Sequence, residues 1–159
     1  MQRRSFIQLA LAGAATSLVP GAAMAARLGS RGSRDSGGFT VVEADVGQLR
    51  QLMASGQLSA QQLVTHYLAR IRAIDQAGPT LKAVIELNPD ARAIAVALDR
   101  ERQAKGVRGP LHGIPVLIKD NIATADKMQT TAGSLALVGA KAPRDAFLVQ
   151  RLRDAGAVI

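Results

Sequence analysis

Lys119 is the residue in this sequence best placed to do chemistry. It closes an apolar run, Ile114-Pro115-Val116-Leu117-Ile118, and is followed at once by Asp120 and Asn121. A lysine carried into an apolar interior is costly as an ammonium ion, so burial lowers its pKa from about 10.4 and favours the neutral amine. A neutral amine beside a hydroxyl serves as a general base and replaces histidine in a serine–lysine arrangement. Two other readings of the same residue stay open. A lysine at a strand end can snorkel to water, and an ion pair with Asp120 would hold it charged and disable it as a base. Hydroxyls follow at Thr130, Thr131 and Ser134. They either line a pocket or cap and turn the local backbone, and the second is the commoner use of such residues. The chain has no cysteine, which removes disulfides, thiolate nucleophiles and cysteine-based metal sites together. His66 and His112 stand far apart without a carboxylate at metal-ligand spacing, so no metal is expected. His66 reads as a solvated helix residue and His112 as a hydrogen-bonding loop residue.

The elements that must position Lys119 are legible from periodicity. Val46, Leu49, Leu52 and Met53 recur at helical spacing over about Asp45 to Ala54, with Gly56 as the stop. A second helix opens at Ser59, with Gln62 completing a capping-box pattern, and carries Leu63, Tyr67, Ile71 and Ile74 on one stripe until Gly78-Pro79. Leu81 to Asn88 is a β-type run. Asn88-Pro89 then starts a third helix, with Ala91, Ile94, Ala95 and Leu98 inward and Asp99, Arg100, Glu101 and Arg102 outward. A loop from Gly106 to Gly113, with Gly109 and Gly113 in turns, delivers the chain to the strand that ends in Lys119. Pro143-Arg144-Asp145 starts the last helix, whose apolar side is expected to be Phe147, Leu148 and Leu152. A strand begins at Ala157-Val158-Ile159. Alternating helices and strands predict an α/β layer architecture with a partly parallel sheet, in which functional groups gather at the carboxyl ends of strands.

Residues 1–25 read as an export signal. Arg3-Arg4 precedes Ser5-Phe6-Ile7, an apolar run extends to Val19, and Ala23-Met24-Ala25 supplies small residues for cleavage. The paired arginines resemble a twin-arginine signal, which predicts a periplasmic or secreted product and the twin-arginine export machinery as a partner. The run is short and diluted by Gln8, Gly13, Thr16 and Ser17, so stable membrane insertion is not expected. Residues 26–40, rich in Gly, Ser and Arg, read as a flexible lead-in. Residues 1–35 hold five arginines against Asp35, half of the net charge of +8. The folded part is therefore only mildly basic. Its charges alternate in sign, and the chain has three Phe, one Tyr and no Trp, which argues against nucleic acid as a partner. A strand starting at Ala157 needs neighbours for its backbone groups, so Ile159 is expected to be a cut within a longer protein.

The stretches GPLHGIPVLIKDNI, TTAGSLAL, DAFLVQRLRDAGAVI and AVIELNPDA together resemble the front of the amidase signature family, from about Val46 to Ile159. Among exported members the likeness is to bacterial peptide amidases, which remove a C-terminal amide from peptides. The resemblance implies an α/β fold with a mixed β-sheet core flanked by helices, of which residues 41–159 are the N-terminal part. It also implies hydrolysis of carboxamides by a Ser–Ser–Lys triad without cofactor or metal. The family's catalytic lysine falls on Lys119. Both triad serines lie downstream of Ile159 in the family, and Ser134 does not replace them, so the 159-residue chain alone is expected to be inactive. Thr131 and Ser134 match a segment near the family's site and are candidate substrate-binding residues. The implied substrate is a small-molecule or peptide amide. Two alternatives stand beside it: the amidase-type subunit of an amidotransferase for charged transfer RNA, and a non-catalytic remnant of the fold.

Overall fold

The first two helices start where a local side chain meets the backbone donors that a helix leaves unpaired. The computed structural model describes residues 41–159, all within one of the two units into which the chain divides, Gly38–Ile159. The export signal expected at residues 1–25 and the lead-in expected at 26–40 lie outside the described residues. Helix α1, Val46–Ala54, is capped by Asp45, whose carboxylate accepts from Gln48 N–H while the Gln48 side chain accepts from Asp45 N–H. Helix α2, Ala60–Arg70, repeats this box with Ser59 and Gln62. Its first two N–H groups, at Ala60 and Gln61, donate to the two oxygens of Asp99, which lies in the next helix, α3 (Ala91–Lys105). Every orphan donor at the start of α2 is thereby satisfied. Asp99 is thus not simply an outward charge, and neither is Arg102, whose guanidinium donates to the His112 C=O at 2.8 Å.

α2 runs on into a π-helical turn, Ile71–Gln76, which brings Asp75 to the interior at 5% exposure. The Asp75 carboxylate accepts from Ala83 and Val84 N–H, and its C=O from Lys82 N–H. Residues 81–88 form no strand: Lys82 takes a left-handed φ of +55°, and the N–H groups of Lys82, Ala83 and Val84 that a ladder would use go to Asp75 instead. Helix α3, Ala91–Lys105, buries Ala91, Ala95 and Leu98, with Ile94 half-buried. It begins two residues after Pro89. Asn88 is buried, and its side chain accepts from Asp90 N–H and donates to the C=O of Ile159. The last helix, α4, Phe147–Asp154, departs from expectation on its apolar side. Val149 is fully buried and Leu152 half-buried, whereas Phe147 and Leu148 are exposed.

The expected mixed sheet is reduced among the described residues to a single parallel bridge, between Pro115 and Val158. Val116 N–H donates to Val158 C=O at 2.8 Å, and Val158 N–H to Ile114 C=O at 2.9 Å. Pro115 has no N–H to extend the pairing on its other edge. Successive side chains from Ala157 to Ile159 face opposite ways, as extended backbone requires. Val158 joins the core of α1, α2 and α3 around Leu49, Met53, Leu63 and Ala95. Ala157 and Ile159 join Val149, Val116, Ile118 and Met128 on the other side. Each fully buried Leu or Val contributes about 1.5–3 kcal/mol to the folded state.

Candidate functional site

The loop that delivers the chain to Lys119 is pinned around His112, which is 2% exposed. Arg108 N–H donates to His112 Nδ1 at 3.2 Å, so the ring proton sits on Nε2 and donates to Leu98 C=O at 2.9 Å. That is the structural loop role read from the sequence. On the next residue, Gly113 N–H donates to Gly156 C=O at 2.8 Å. Gly113 has φ +83° and lies so close to Ala60 that a β-carbon would come within 2.8 Å of the Ala60 methyl. Glycine is required there both for its φ and for its bareness.

Lys119 then ends the extended run, its C=O accepting from Ile122 N–H at 2.9 Å in a turn. The residue is exposed rather than buried. Among the described residues no ion pair holds it; the salt bridges join Arg108 to Glu101, Lys127 to Asp90, and Arg153 to Asp126 and Asp145. The ion pair with Asp120 that would have disabled it does not form. Lys119 lines a cleft of about 210 Å³ together with Glu86, Asp120, Thr124 and Gln129. A larger apolar groove of about 570 Å³, between α2 and the extended run, includes Tyr67, Leu87 and Val116 but not Lys119.

Asp120 turns the other way, towards Thr131. Its carboxylate accepts from Thr131 N–H at 3.1 Å and from the Thr131 hydroxyl. Its C=O accepts from Ala132 N–H at 3.2 Å. The Thr131 hydroxyl and then its N–H hold the Asp120 carboxyl below the usual aspartate range. Thr131 Oγ1 in turn accepts from Gly133 N–H, and Ser134 N–H donates to Thr131 C=O at 2.8 Å. Thr131 is therefore brought next to Asp120 and spends its hydroxyl on local structure. Ser134 is exposed, precedes a 3-10 turn at Leu135–Leu137 and makes no side-chain cap. No hydrogen bond joins Ser134 to Lys119 among the described residues.

Two contributors to the cleft were not singled out from sequence. Glu86 accepts from Gln129 N–H at 2.7 Å and so ties residues 81–88 to the loop after Lys119. Thr124 is 2% exposed, and its hydroxyl has no partner among the described residues. Neither carries a sequence signal, since both placements depend on segments brought together by the fold. No helix among the described residues is long and apolar enough to cross a membrane.

The family model Amidase matches residues 62–159. A putative amidase of Schizosaccharomyces pombe is 48% identical over 121 residues, which cover 76% of this chain and 20% of that protein. A glutamyl-tRNA(Gln) amidotransferase subunit of Chloroflexus aurantiacus is 45% identical over 108 residues, 67% of this chain and 21% of its own length. Among solved structures, the native peptide amidase of Stenotrophomonas maltophilia superposes with a TM-score of 0.70 at 56% identity, covering 74% of this chain and 24% of that one. The chain thus spans about a fifth to a quarter of the length of these relatives.

Proposed function

The chain belongs to the amidase family, and from that premise we propose that it is the N-terminal part of an exported amidase in which Lys119 is the base of a Ser–Ser–Lys triad. The substrate is a carboxamide, with the C-terminal amide of a peptide as the preferred class. The observation that carries this reading is the state of Lys119, an amine at the end of the apolar run, on a cleft, without an ion-pair partner among the described residues. Lys119 would take a proton through a bridging serine while a second serine attacks the amide carbonyl. Ammonia would leave, and water would then hydrolyse the acyl-enzyme. The base role needs the amine neutral, hence a cleft closed over Lys119 by further chain. The likeness to a peptide amidase at 56% identity supports the substrate class. The likeness to a glutamyl-tRNA(Gln) amidotransferase subunit supports a second reading, against which the export signal of residues 1–25 argues.

The test is Lys119→Ala in the intact protein, assayed by ammonia release from a C-terminally amidated dipeptide. Turnover is expected to vanish, and retained turnover overturns the assignment. The 159-residue chain by itself is expected to release none.

A further inference from the structure

We propose that Asp120 is a positioning residue, which anchors the turn from Thr131 to Ser134 beside Lys119 and in doing so leaves the lysine amine free of a counter-ion. Four hydrogen bonds lead to this. Three join Asp120 to Thr131 and Ala132 through its carboxylate and its C=O. The fourth runs from Gly133 N–H to the same Thr131 hydroxyl. The turn they hold is one that the backbone resists. Ala132 has φ +49° and Gly133 φ +78°, two successive left-handed residues, the first of them not a glycine. Such a conformation persists only where its surroundings over-determine it, and here Asp120 is the group that does so.

The same geometry answers why a carboxylate adjacent in sequence to an amine fails to pair with it. Asp120 accepts from two donors of Thr131, and its two oxygens are both occupied. The other charged residues lining the cleft are Lys119 and Glu86. Glu86 is itself engaged with Gln129 N–H. An Asp120 turned towards Lys119 would cost the loop its anchor and would hold the amine protonated. The division of labour between neighbouring residues is thus a requirement of a lysine base, and in that respect the inference rests on the amidase reading.

Two measurements on the intact protein test it. The first needs no activity: the Asp120 carboxyl is titrated by carbon-13 resonance in wild type, Thr131→Val, Thr131→Ser and Lys119→Met. Thr131→Val is expected to raise the Asp120 titration towards the ordinary aspartate value of about 3.9. Thr131→Ser, which keeps the hydroxyl, and Lys119→Met are both expected to leave it low. A rise in Lys119→Met, or a low titration retained in folded Thr131→Val, overturns the proposal. The second is the pH profile of kcat/KM for Asp120→Asn. Activity is expected to fall about 10- to 100-fold through misplacement of the turn, with the lysine limb of the profile unmoved. A limb displaced to lower pH would mean that Asp120 is the counter-ion of Lys119, and the proposal fails. A wild-type protein without amidase activity would remove the functional reading alone, since the carboxyl titration still decides the role of Asp120.

Discussion

Replacing Gly156 by alanine tests whether the two glycines at 113 and 156 interlock as the structure has them. Gly156 has φ +84°, and a β-carbon there would lie 2.8 Å from His112 Cα, 3.0 Å from Nδ1 and 3.1 Å from Cβ. None of these atoms can yield, because His112 is tied at both ring nitrogens and at its C=O. Two costs add. The left-handed backbone penalises a β-carbon by about 1–2 kcal/mol, and forcing an extra methyl into a packed site costs about 1–3 kcal/mol more. Together Gly156→Ala is expected to destabilise by about 2–5 kcal/mol, a large share of the roughly 5–15 kcal/mol available to a domain. Gly56 provides the control, since it has φ +75° but nothing within 4 Å of its β-position. Gly56→Ala should show the backbone cost alone, about 1–2 kcal/mol. Urea unfolding followed by circular dichroism measures both as shifts in midpoint at constant slope. Equal midpoints for the two variants would refute the close approach of Gly156 to His112.

Asp99→Ala should cost about 2–4 kcal/mol in the same assay, because it removes a charged acceptor from two helix donors, one of them the buried Ala60 N–H, and a favourable charge from the start of α2. Acid should weaken the fold through Glu101, whose carboxyl is held below its ordinary value by the Arg108 guanidinium. A depressed carboxyl contributes above its unfolded pKa, about 4.3, and that contribution is lost as pH falls through the lower folded value. Glu101→Gln should therefore flatten the acid limb of a stability–pH profile, and an unchanged limb would show that the pair contributes nothing.

The helix starts were legible because their determinants are local. Ser59 and Gln62 are three residues apart and cap α2 as their spacing implies. The inward stripe of α3 was legible for the same reason, and Ala91, Ala95 and Leu98 are buried. Where the deciding contact is remote, periodicity misled. Phe147 and Leu148 carry the apolar character of α4, yet Val149 is the residue that meets Ala157 and Ile159. Asp99 and Arg102 look like surface charges on α3, and only the fold places α2 and His112 within their reach. The β-type run expected at Leu81–Asn88 forms no strand, because Lys82 is left-handed and Asp75, supplied by a π-helical turn that no pattern announces, takes its first N–H groups. At the candidate site, the position of Lys119 at the end of an apolar run was legible, but its exposure was not. The partnership of Asp120 with Thr131 was not, because nothing in a carboxylate beside a lysine tells which way it will turn.

The fastening of Ile159 to Asn88 sets a timetable. The Asn88 amide donates to the Ile159 C=O at 2.8 Å across 71 residues of sequence. At a synthesis rate of about 5–20 residues per second, roughly 4–14 s separate the appearance of one partner from the other. During that interval α1, α2 and α3 can form and pack, since their contacts are mutual. The apolar surfaces awaiting Val158 and Ile159, around Leu63 on one side and Val149 on the other, stay open to water. A nascent chain halted before Val158 would leave those surfaces open, and Ala157, Val158 and Ile159 are the residues that come to cover them.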